Sequence, residues 1–335
     1  MNAYERLFAR MDGQPIDRIP NLNIVMLFAA RQIGVPYGQY VTDYKLLCQG
    51  VLECYEKFKL DCLCVISDPM REAEGFGAKV VIPEDDVPFC PEPLLDGVKQ
   101  IEKLKAIDPA SGRRMHDRLL AVQHLKQQAA KRVPVIGWVE GAVAEACDLM
   151  DISEAMMNFY DYPDEMEQLL EVCGEQARRF ALAQIEAGAD IIGIGDAAAS
   201  LIGPQLYRDF ALPHQQKLIS AIHQAGARTK LHICGNIAPV LELVAQTGTD
   251  ILDCDHMVPL EDCARFLPSN MCVCGNYDPV GVLLNSSESD VKREVEFCAR
   301  TGIKNYISSA GCEVPKMTPP QNLMAVAQTL EQMTR

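Results

Sequence analysis

Short apolar segments alternate with longer stretches of helical periodicity along most of the chain. Several apolar segments, such as VPVIGWV and ADIIGIG, are nearly continuous in hydrophobic residues, which is typical of parallel strands buried on both faces. We predict strands at Arg18–Val25, Leu60–Asp68, Val133–Gly141, Ala189–Asp196, Arg228–Gly235, Thr249–His256, Met271–Asp278 and Asn305–Cys312. Strands that alternate with helices in this way predict the α/β class and a (β/α)8 TIM barrel.

The helical segments have recognisable ends. From Asp164 to Ala187 apolar residues recur every three or four positions, and Gly188 follows as the expected C-terminal stop. Near the C-terminus, the run Thr318-Pro319-Pro320-Gln321 predicts an N-cap, a proline at the first helical position and a capping-box glutamine. The opening residues, MNAYERLFARMDG, predict a charged amphipathic helix before the first strand.

The chain shows no low-complexity linker and no block of like charges. We therefore expect residues 1–335 to form a single barrel domain with an N-terminal extension. The stretch from Arg71 to Ala130 is longer than one crossover between strands needs. It contains VVIPEDDVPF, and we predict that it forms an excursion or lid at the barrel mouth, between the second and third predicted strands.

The amino-acid composition argues against some classes of function. The 335 residues include 31 basic and 46 acidic ones, a formal net charge of −15, which argues against binding nucleic acid or an anionic membrane. The sequence contains no run of about 18 apolar residues, so we predict no transmembrane helix. The N-terminus lacks the apolar core of a signal peptide. The 14 cysteines are then expected to be reduced and mostly buried, in a cytoplasmic protein.

Polar residues occupy nearly every predicted strand end, where the active site of a (β/α)8 barrel lies. They are Asp68, Glu140, Asp196, His232, Cys234, Asp253, Asp255, Asp278 and Cys312. His232 and Cys234 are two positions apart, so their side chains lie on one face of their strand. Together with Cys312 they would form a ligand set that suits Zn²⁺ with one open coordination position. The spacing alone also fits a buried histidine beside two buried thiols, and Cys272-x-Cys274 is a competing pair.

Other polar residues have candidate roles in catalysis or cofactor binding. Asp196 and Asp255 could orient a metal-bound imidazole as hydrogen-bond acceptors. Glu140 could act as a general acid or base if it is buried near a leaving group. Asn236 and Asn276 lie in two similar turns, within HICGNIAPV and CVCGNYDPV, and could offer amides to a docked cofactor. Turn formation alone explains the two asparagines about as well.

These segments together resemble the uroporphyrinogen decarboxylase superfamily, in its cobalamin-dependent methyltransferase branch. The resemblance covers almost the whole chain, through ERLFARMDGQPIDRIP, ADIIGIGDAAASLIGPQLYRDF, LHICGNIAPVLELV, CGNYDPV and SSAGCEVPKMTPPQNL. It implies a (β/α)8 barrel. In the methyltransferase branch a His-x-Cys pair and a distant cysteine are zinc ligands, and His232, Cys234 and Cys312 fall on those positions.

The decarboxylases of the superfamily have a different pattern. They bind the carboxylates of a porphyrinogen with arginines near the N-terminus and use an aspartate after the second strand. The matching segment here, ARQIGVPY, keeps Arg31 and Gln32 but has Val35 where the second arginine would lie, while Asp68 could stand for the aspartate. Uroporphyrinogen decarboxylase is therefore the second hypothesis. A non-catalytic barrel that only binds a corrinoid or tetrapyrrole is the third.

For a methyltransferase, the resemblance implies Zn²⁺ in this chain and a corrinoid (cobalamin) carried by a separate protein that docks over the barrel mouth. In one direction a zinc-bound thiolate takes a methyl group from the methylated corrinoid. In the other, zinc activates a methoxylated donor and reduced cobalt attacks its methyl carbon. The segment WVEGAVAEACDLMD is closer to enzymes that act on methoxylated donors. The sequence leaves the donor, the acceptor and the oligomeric state open.

Overall fold

The structure, a computed structural model, describes residues 1–333. Within them lies a parallel sheet of seven strands, in which each strand pairs with the next one along the chain. The strands are β1 Leu63–Cys64, β2 Val135–Glu140, β3 Ile191–Gly195, β4 Arg228–Ile233, β5 Ile251–Cys254, β6 Cys272–Cys274 and β7 Tyr306–Ile307. This sequential order, with helices between the strands, confirms the predicted barrel class.

The first predicted strand, Arg18–Val25, is wrong as a strand. It forms a single parallel bridge between Asn21 and Ser308. Backbone hydrogen bonds nevertheless connect it to both edges of the sheet, since Leu22 donates to Ser308 at 2.9 Å and Asp61 donates to Asn21 at 2.8 Å. The proline that precedes the bridge has no N–H with which to extend the ladder. The segment therefore joins β7 to β1 without becoming a strand.

Helices surround the sheet and supply the crossovers. They are α1 Ala3–Met11, α2 Leu27–Gln32, α3 Tyr37–Tyr40, α4 Tyr44–Phe58, α5 Met70–Phe76, α6 Arg113–Ala129, α7 Ala142–Leu149, α8 Ile152–Asp161, α9 Pro163–Ala187, α10 Gly203–Leu206, α11 Leu212–Gln224, α12 Leu241–Val244, α13 Leu260–Phe266, α14 Glu288–Ala299 and α15 Pro320–Gln332. Shorter 3₁₀ or π turns span Val98–Lys103, Ala197–Ser200, Tyr207–Ala211, Ala238–Val240 and Pro279–Leu284. Between residues 1 and 333, no helix combines the length and apolarity needed to cross a membrane.

One predicted helix end is confirmed and another is wrong. Helix α9 ends at Ala187, and Gly188 follows it in the left-handed conformation with φ 116°. Helix α15 begins at Pro320 with Pro319 as its N-cap, and no side chain caps it. The Thr318 hydroxyl is instead buried and has no hydrogen-bond partner within residues 1–333. A second proline at the start moves the cap position onto a residue that has no side-chain acceptor.

The predicted excursion from Arg71 to Ala130 is in part the crossover itself. Helix α5 occupies its beginning and α6 its end. Between these helices the chain pairs with itself once, through an antiparallel bridge between Val81 and Phe89. Val87, inside this hairpin-like bend, lines a cavity at the barrel mouth. The stretch therefore supplies part of the wall above the site, at the place where the lid is predicted.

Every residue of β2 and β3 is buried in the barrel. Trp138 of β2 lies beside Gly193 of β3 in the strand register. A Cβ atom on Gly193 would lie 2.1 Å from a ring carbon of Trp138. The glycine therefore leaves the space that the indole occupies, next to the site described below.

Candidate metal centre and cleft

Three side chains that the sequence places at distant positions meet at the barrel mouth. His232 lies on β4, Cys234 follows that strand, and Cys312 lies in the loop after β7. Nε2 of His232 is 2.9 Å from Sγ of Cys234 and 3.9 Å from Sγ of Cys312, and the two sulfurs are 4.0 Å apart. We call these three residues the metal cluster, because their donor atoms all lie within 4.8 Å of one another.

The donor set fits a tetrahedral metal ion. With metal–sulfur bonds of about 2.3 Å, the two sulfurs of a tetrahedral site lie about 3.8 Å apart, close to the distance between Cys234 and Cys312. The shorter contact between His232 and Cys234 has to lengthen slightly to admit an ion. All three residues line one cavity, so a fourth ligand can approach from that side.

One of the two cysteines in the metal cluster, Cys312, is favoured as a thiolate. The hydrogen bond from Cys234 lowers the pKa of Cys312 to about 4 although burial opposes this, and the His232 imidazole adds to the effect. The same hydrogen bond, together with burial, raises the pKa of the Cys234 thiol. Cys312 therefore offers an anionic sulfur, and an incoming metal ion would displace the proton of Cys234.

Asp253, to which we assigned no role from the sequence, orients the imidazole. Its Oδ2 atom lies 2.9 Å from Nδ1 of His232 and is also in close contact with Nζ of Lys230. All three residues are buried. Burial raises the pKa of Asp253, but Lys230 and His232 outweigh it and hold the value at about 2. An ionised carboxylate at Nδ1 directs Nε2 of His232 toward the two sulfurs.

Two sequence signals point to this arrangement. Lys230, His232 and Cys234 are spaced by two, so they share one face of β4 and its continuation. A lysine that is buried in a barrel strand needs a buried partner. Asp253 lies directly beside His232 in the register of β4 and β5, a relation that depends on strand alignment and not on sequence spacing.

Asp196 was expected beside the imidazole, and that expectation is wrong. Its carboxylate accepts hydrogen bonds from the backbone of Ala144 at 2.9 Å and from the amide of Gln215 at 2.7 Å. Asp196 lies just past the end of β3 with φ −127° and ψ 53°, outside strand geometry, so alternation no longer sets its direction. It connects β3 to α7 and α11.

Asp255 is also directed away from the imidazole, which corrects the second expected orienting role. Its Oδ2 atom accepts from the backbone N–H of Gly235 at 2.8 Å, and its Oδ1 atom lies 2.9 Å from Nδ1 of His256. Gly235 directly follows Cys234. Asp255 therefore holds the turn that follows Cys234 and does not orient the imidazole of His232.

The two asparagines of the Cys-Gly-Asn turns differ. The amide of Asn276 donates to the backbone carbonyls of Asp255 at 3.0 Å and Val258 at 2.6 Å. Its NH₂ group is therefore used within the protein, and its role toward a cofactor stays a prediction. Asn236 is exposed, and its Oδ1 atom accepts from Ala238 at 3.0 Å, as in an Asx turn. Its role toward a cofactor stays a prediction.

The metal cluster faces a cavity of about 220 Å³. A second cavity of about 440 Å³ shares four residues with the first, Pro69, Glu140, Ala197 and Cys234. We call the two together the cleft. Its apolar walls include Ile24, Met26, Ile66, Val87, Trp138, Ile152 and Leu201.

Glu140 lines both cavities of the cleft. Its Oε1 atom accepts a hydrogen bond of 3.2 Å from Arg71. Burial nevertheless raises the pKa of Glu140 well above its ordinary value, and the nearby carboxyl groups of Glu72 and Asp148 raise it further. The raised pKa favours the protonated form of Glu140, the state that a general acid requires.

Asp68, the candidate aspartate of the decarboxylase hypothesis, is buried and paired with Arg114. Burial would raise its pKa, but the charges of Arg114 and Arg71 hold it below the ordinary value. Arg31 is exposed and donates to the backbone carbonyl of Lys316 at 3.3 Å. The carboxylate that a decarboxylase would use is thus already neutralised by the protein.

The fold and the site define a barrel with a candidate metal site of soft ligands, and comparison with known proteins gives the family. Residues 2–333 match the family profile of uroporphyrinogen decarboxylase (URO-D), so the chain belongs to the uroporphyrinogen decarboxylase family. The methylcobamide:CoM methyltransferase MtbA of Methanosarcina mazei is 30% identical over 97% of this chain and 96% of its own length. The corresponding enzyme MtaA of Methanosarcina barkeri is 27% identical over 96% and 95%.

The uroporphyrinogen decarboxylase of Trichodesmium erythraeum matches less of the chain, with 29% identity over 84% of it and 81% of its own length. A solved methyltransferase structure from Methanosarcina mazei covers 100% of both chains with a TM-score of 0.92 at 24% identity, which shows a shared fold. The predicted enzyme class, a corrinoid-dependent methyltransferase, is confirmed by these relatives, and the decarboxylase alternative is the weaker one.

Proposed function

We propose that this chain is a zinc-dependent methyltransferase that moves a methyl group between a small substrate and a corrinoid protein. The observation that carries the proposal is the convergence of His232, Cys234 and Cys312 on the cleft. Support comes from relatives named methylcobamide:CoM methyltransferases, which match nearly the full chain. The substrate is a methoxylated or otherwise methylated donor, or a thiol acceptor.

Each residue of the site has a separate task in this proposal. When bound by the metal cluster, zinc supplies Lewis acidity toward a substrate oxygen or sulfur. Asp253 keeps the His232 imidazole in one orientation, and Asp255 keeps the turn after Cys234 in place. Glu140, whose pKa is raised by burial in the cleft wall, can donate a proton to the leaving group of a methylated donor.

The corrinoid partner would dock on an apolar surface around the cleft opening. Six large apolar residues are exposed in the segments that follow the carboxyl ends of the strands. They are Phe89, Ile152, Leu201, Met257, Val280 and Met317, with exposed fractions between 45% and 60%. We call them the mouth surface. Exposed apolar groups at one end of a protein mark interaction sites, and this end is the one from which the metal cluster is accessible.

The test combines metal analysis with methyl transfer. The protein is purified without chelator, as wild type, Cys234→Ser, Cys312→Ser and the control Cys298→Ser, whose thiol is buried in α14. We expect about one zinc per chain in wild type and control, and a large loss in the two ligand variants. Methyl transfer to or from cobalamin, followed by its visible spectrum with a panel of methoxylated donors and thiols, should fall at least about 100-fold in the ligand variants.

Two results would contradict the proposal. One is less than half an equivalent of zinc in the wild type. The other is zinc content and transfer that survive unchanged in both ligand variants.

A further inference from the structure

Five carboxyl groups lie together beneath the cleft. They belong to Asp68, Glu72, Glu140, Glu145 and Asp148, which we call the carboxyl cluster. They are close enough that Glu72, Glu140 and Asp148 all raise the pKa of Glu145. Two guanidinium groups within residues 1–333 form ion pairs with the cluster, Arg71 with Glu72 and Glu140 and Arg114 with Asp68. Carboxyl groups therefore outnumber the positive charges paired with them.

Glu145 shows the imbalance most clearly. Its side chain is 1% exposed, and neither carboxyl oxygen has a hydrogen-bond partner in the described part of the chain. Oε2 of Glu72 also lacks a hydrogen bond, and its nearest positive group is Nε of Arg71 at 3.5 Å. Buried carboxylates without partners are costly, so protons or a positively charged ligand must balance this region.

A ligand can approach the carboxyl cluster from the cleft. Glu140 lines both cavities, Asp148 lines the larger one, and Asp68 lines the smaller one. Across residues 1–333, neither cavity has a lysine or arginine side chain in its lining. Apart from the metal cluster, the charged side chains in the lining are therefore acidic, and an anionic substrate would find no lysine or arginine to bind.

The carboxyl cluster does not have the geometry of a metal site. Where the structure is described, the groups whose donor atoms lie within 4.8 Å of one another are the metal cluster and a partly exposed set on α9 and α11, Glu167, Glu171 and His214. The oxygens of the carboxyl cluster are thus too far apart for three of them to share one ion, and Asp68, Glu140 and Asp148 line the cleft. Pro69, Ala144, Ile152 and Leu201 line the same cavity and can pack against alkyl groups. Spread acidic oxygens beside apolar walls suit a diffuse organic cation better than a small metal ion.

We propose that the cleft binds the ammonium group of a small organic cation against Asp148, with Glu145 behind it. This inference rests on the proposed function, since it assigns the substrate of that site to the alkylammonium class. Burial raises the pKa of Asp148 to about 8 and raises that of Glu145 well above its ordinary value. A bound ammonium group would take the place of protons that these carboxyls otherwise retain.

The test compares three probes of nearly the same shape by isothermal titration calorimetry on the purified protein. Choline carries a quaternary ammonium group, 3,3-dimethylbutan-1-ol replaces its nitrogen by carbon, and 3,3-dimethylbutanoate is anionic. We expect choline to bind at least about tenfold more tightly than the neutral alcohol, a difference of about 1.4 kcal/mol. The anionic probe should bind least in protein from which a chelator has removed zinc, because a carboxylate can otherwise bind the metal ion.

Variants locate the site. Glu145→Gln and Asp148→Asn remove charge with little change in shape, and each should lower choline affinity toward that of the alcohol. Asp164→Asn, an exposed acid in the first turn of α9, is the matched control and should bind as wild type. Equal binding of choline and the alcohol by the wild type overturns the inference, as does choline binding that neither variant weakens. The wild-type comparison stands even if a variant fails to fold.

The two proposals can fail separately. Zinc-dependent methyl transfer without any preference for choline would support the proposed function and contradict the ammonium site. The opposite result is a preference for choline that depends on Glu145 and Asp148 in a protein that binds no zinc and transfers no methyl group. This result would support the ammonium site and contradict the proposed function.

Discussion

At the scale of single residues, one carboxylate serves two buried neighbours. Asp253 contacts both His232 and Lys230, and all three side chains are removed from solvent. A buried ion pair adds little net stability while it is intact, but removing one partner leaves the other charge uncompensated. Asp253 therefore links the orientation of a metal-cluster ligand to the stability of the barrel interior.

Substitution of Asp253 by Asn should separate these two effects. We expect zinc affinity to fall about 10- to 100-fold because the imidazole loses its carboxylate. The free energy of unfolding should fall by about 3 kcal/mol because Lys230 stays buried without its counter-charge. Urea unfolding and competition with a chromophoric zinc chelator measure the two quantities.

The double variant with Lys230→Met is the decisive comparison. The double variant should regain stability but not zinc affinity. The control is Asp278→Asn, at a half-exposed aspartate of the barrel mouth. It should change the free energy of unfolding by about 0.5 kcal/mol or less. Recovery of zinc affinity in the double variant would show that Asp253 acts through Lys230 alone.

At the scale of elements, the pairing of β2 with β3 shapes the wall of the cleft. Trp138 lines the smaller cavity, and its ring lies over the space left by Gly193. The same indole has the ammonium group of Lys230 5.5 Å from its ring centre. A tight strand-to-strand fit thus positions the residues that surround His232.

Gly193→Ala should disturb this fit. The added Cβ would lie 2.1 Å from a ring carbon of Trp138, so the indole must move, and we expect a loss of about 1–3 kcal/mol in unfolding free energy. Thermal or urea unfolding and tryptophan fluorescence report the change, since Trp138 is the single tryptophan.

Gly174→Ala is the matched control. This glycine lies inside α9, and its added Cβ would meet no atom closer than 3.5 Å. It should be neutral or stabilise by up to about 1 kcal/mol. Equal losses in the two alanine variants would contradict the packing account.

At the scale of the whole molecule, the strands bring the cleft, the metal cluster and the mouth surface to one end of the barrel. The net charge of −15 suits a partner with a basic docking face. Apolar contacts at the mouth surface would then supply the close fit over the opening.

Polar substitutions on the mouth surface should weaken docking and leave the chemistry unchanged. Met257→Asn and Met317→Asn keep the net charge, and neither residue lines the cleft. We expect kcat/KM for the corrinoid protein to fall by about tenfold, while the rate with free cobalamin stays within about twofold of wild type.

Phe297→Asn tests the specificity of this effect, because Phe297 is similarly exposed, at 59%, on α14. It should leave both rates unchanged. Equal losses with the corrinoid protein and with free cobalamin would show that the methionines support the fold and not docking.

Periodicity and residue type predict most of the fold. Seven of the eight predicted segments contain a strand, because burial on both faces leaves a continuous apolar run that needs no knowledge of neighbours. The Arg18–Val25 segment fails because its pairing depends on two distant edges and on a proline. The helix start at Thr318 fails for a local reason, a second proline.

The sequence alone also brings His232 and Cys234 together, because alternation along a strand is a local rule. It places Cys312 at the same end of the barrel, since all strands of a parallel sheet end there. Alternation fails for Asp196 and Asp255, which lie beyond the strands, where backbone direction is set by contacts with α7, α11 and the turn after Cys234.

Only the tertiary structure decided the surroundings of the metal cluster. Asp253 meets His232 through strand register, and the carboxyl cluster combines two segments that are distant in sequence, residues 68–72 and residues 140–148. Burial and neighbouring charge set the protonation of these groups, and neither is written in the spacing of residues. The sequence by itself determined the barrel and the residues of the metal cluster, whereas packing between distant elements determined how these residues are held and the charge of the cleft.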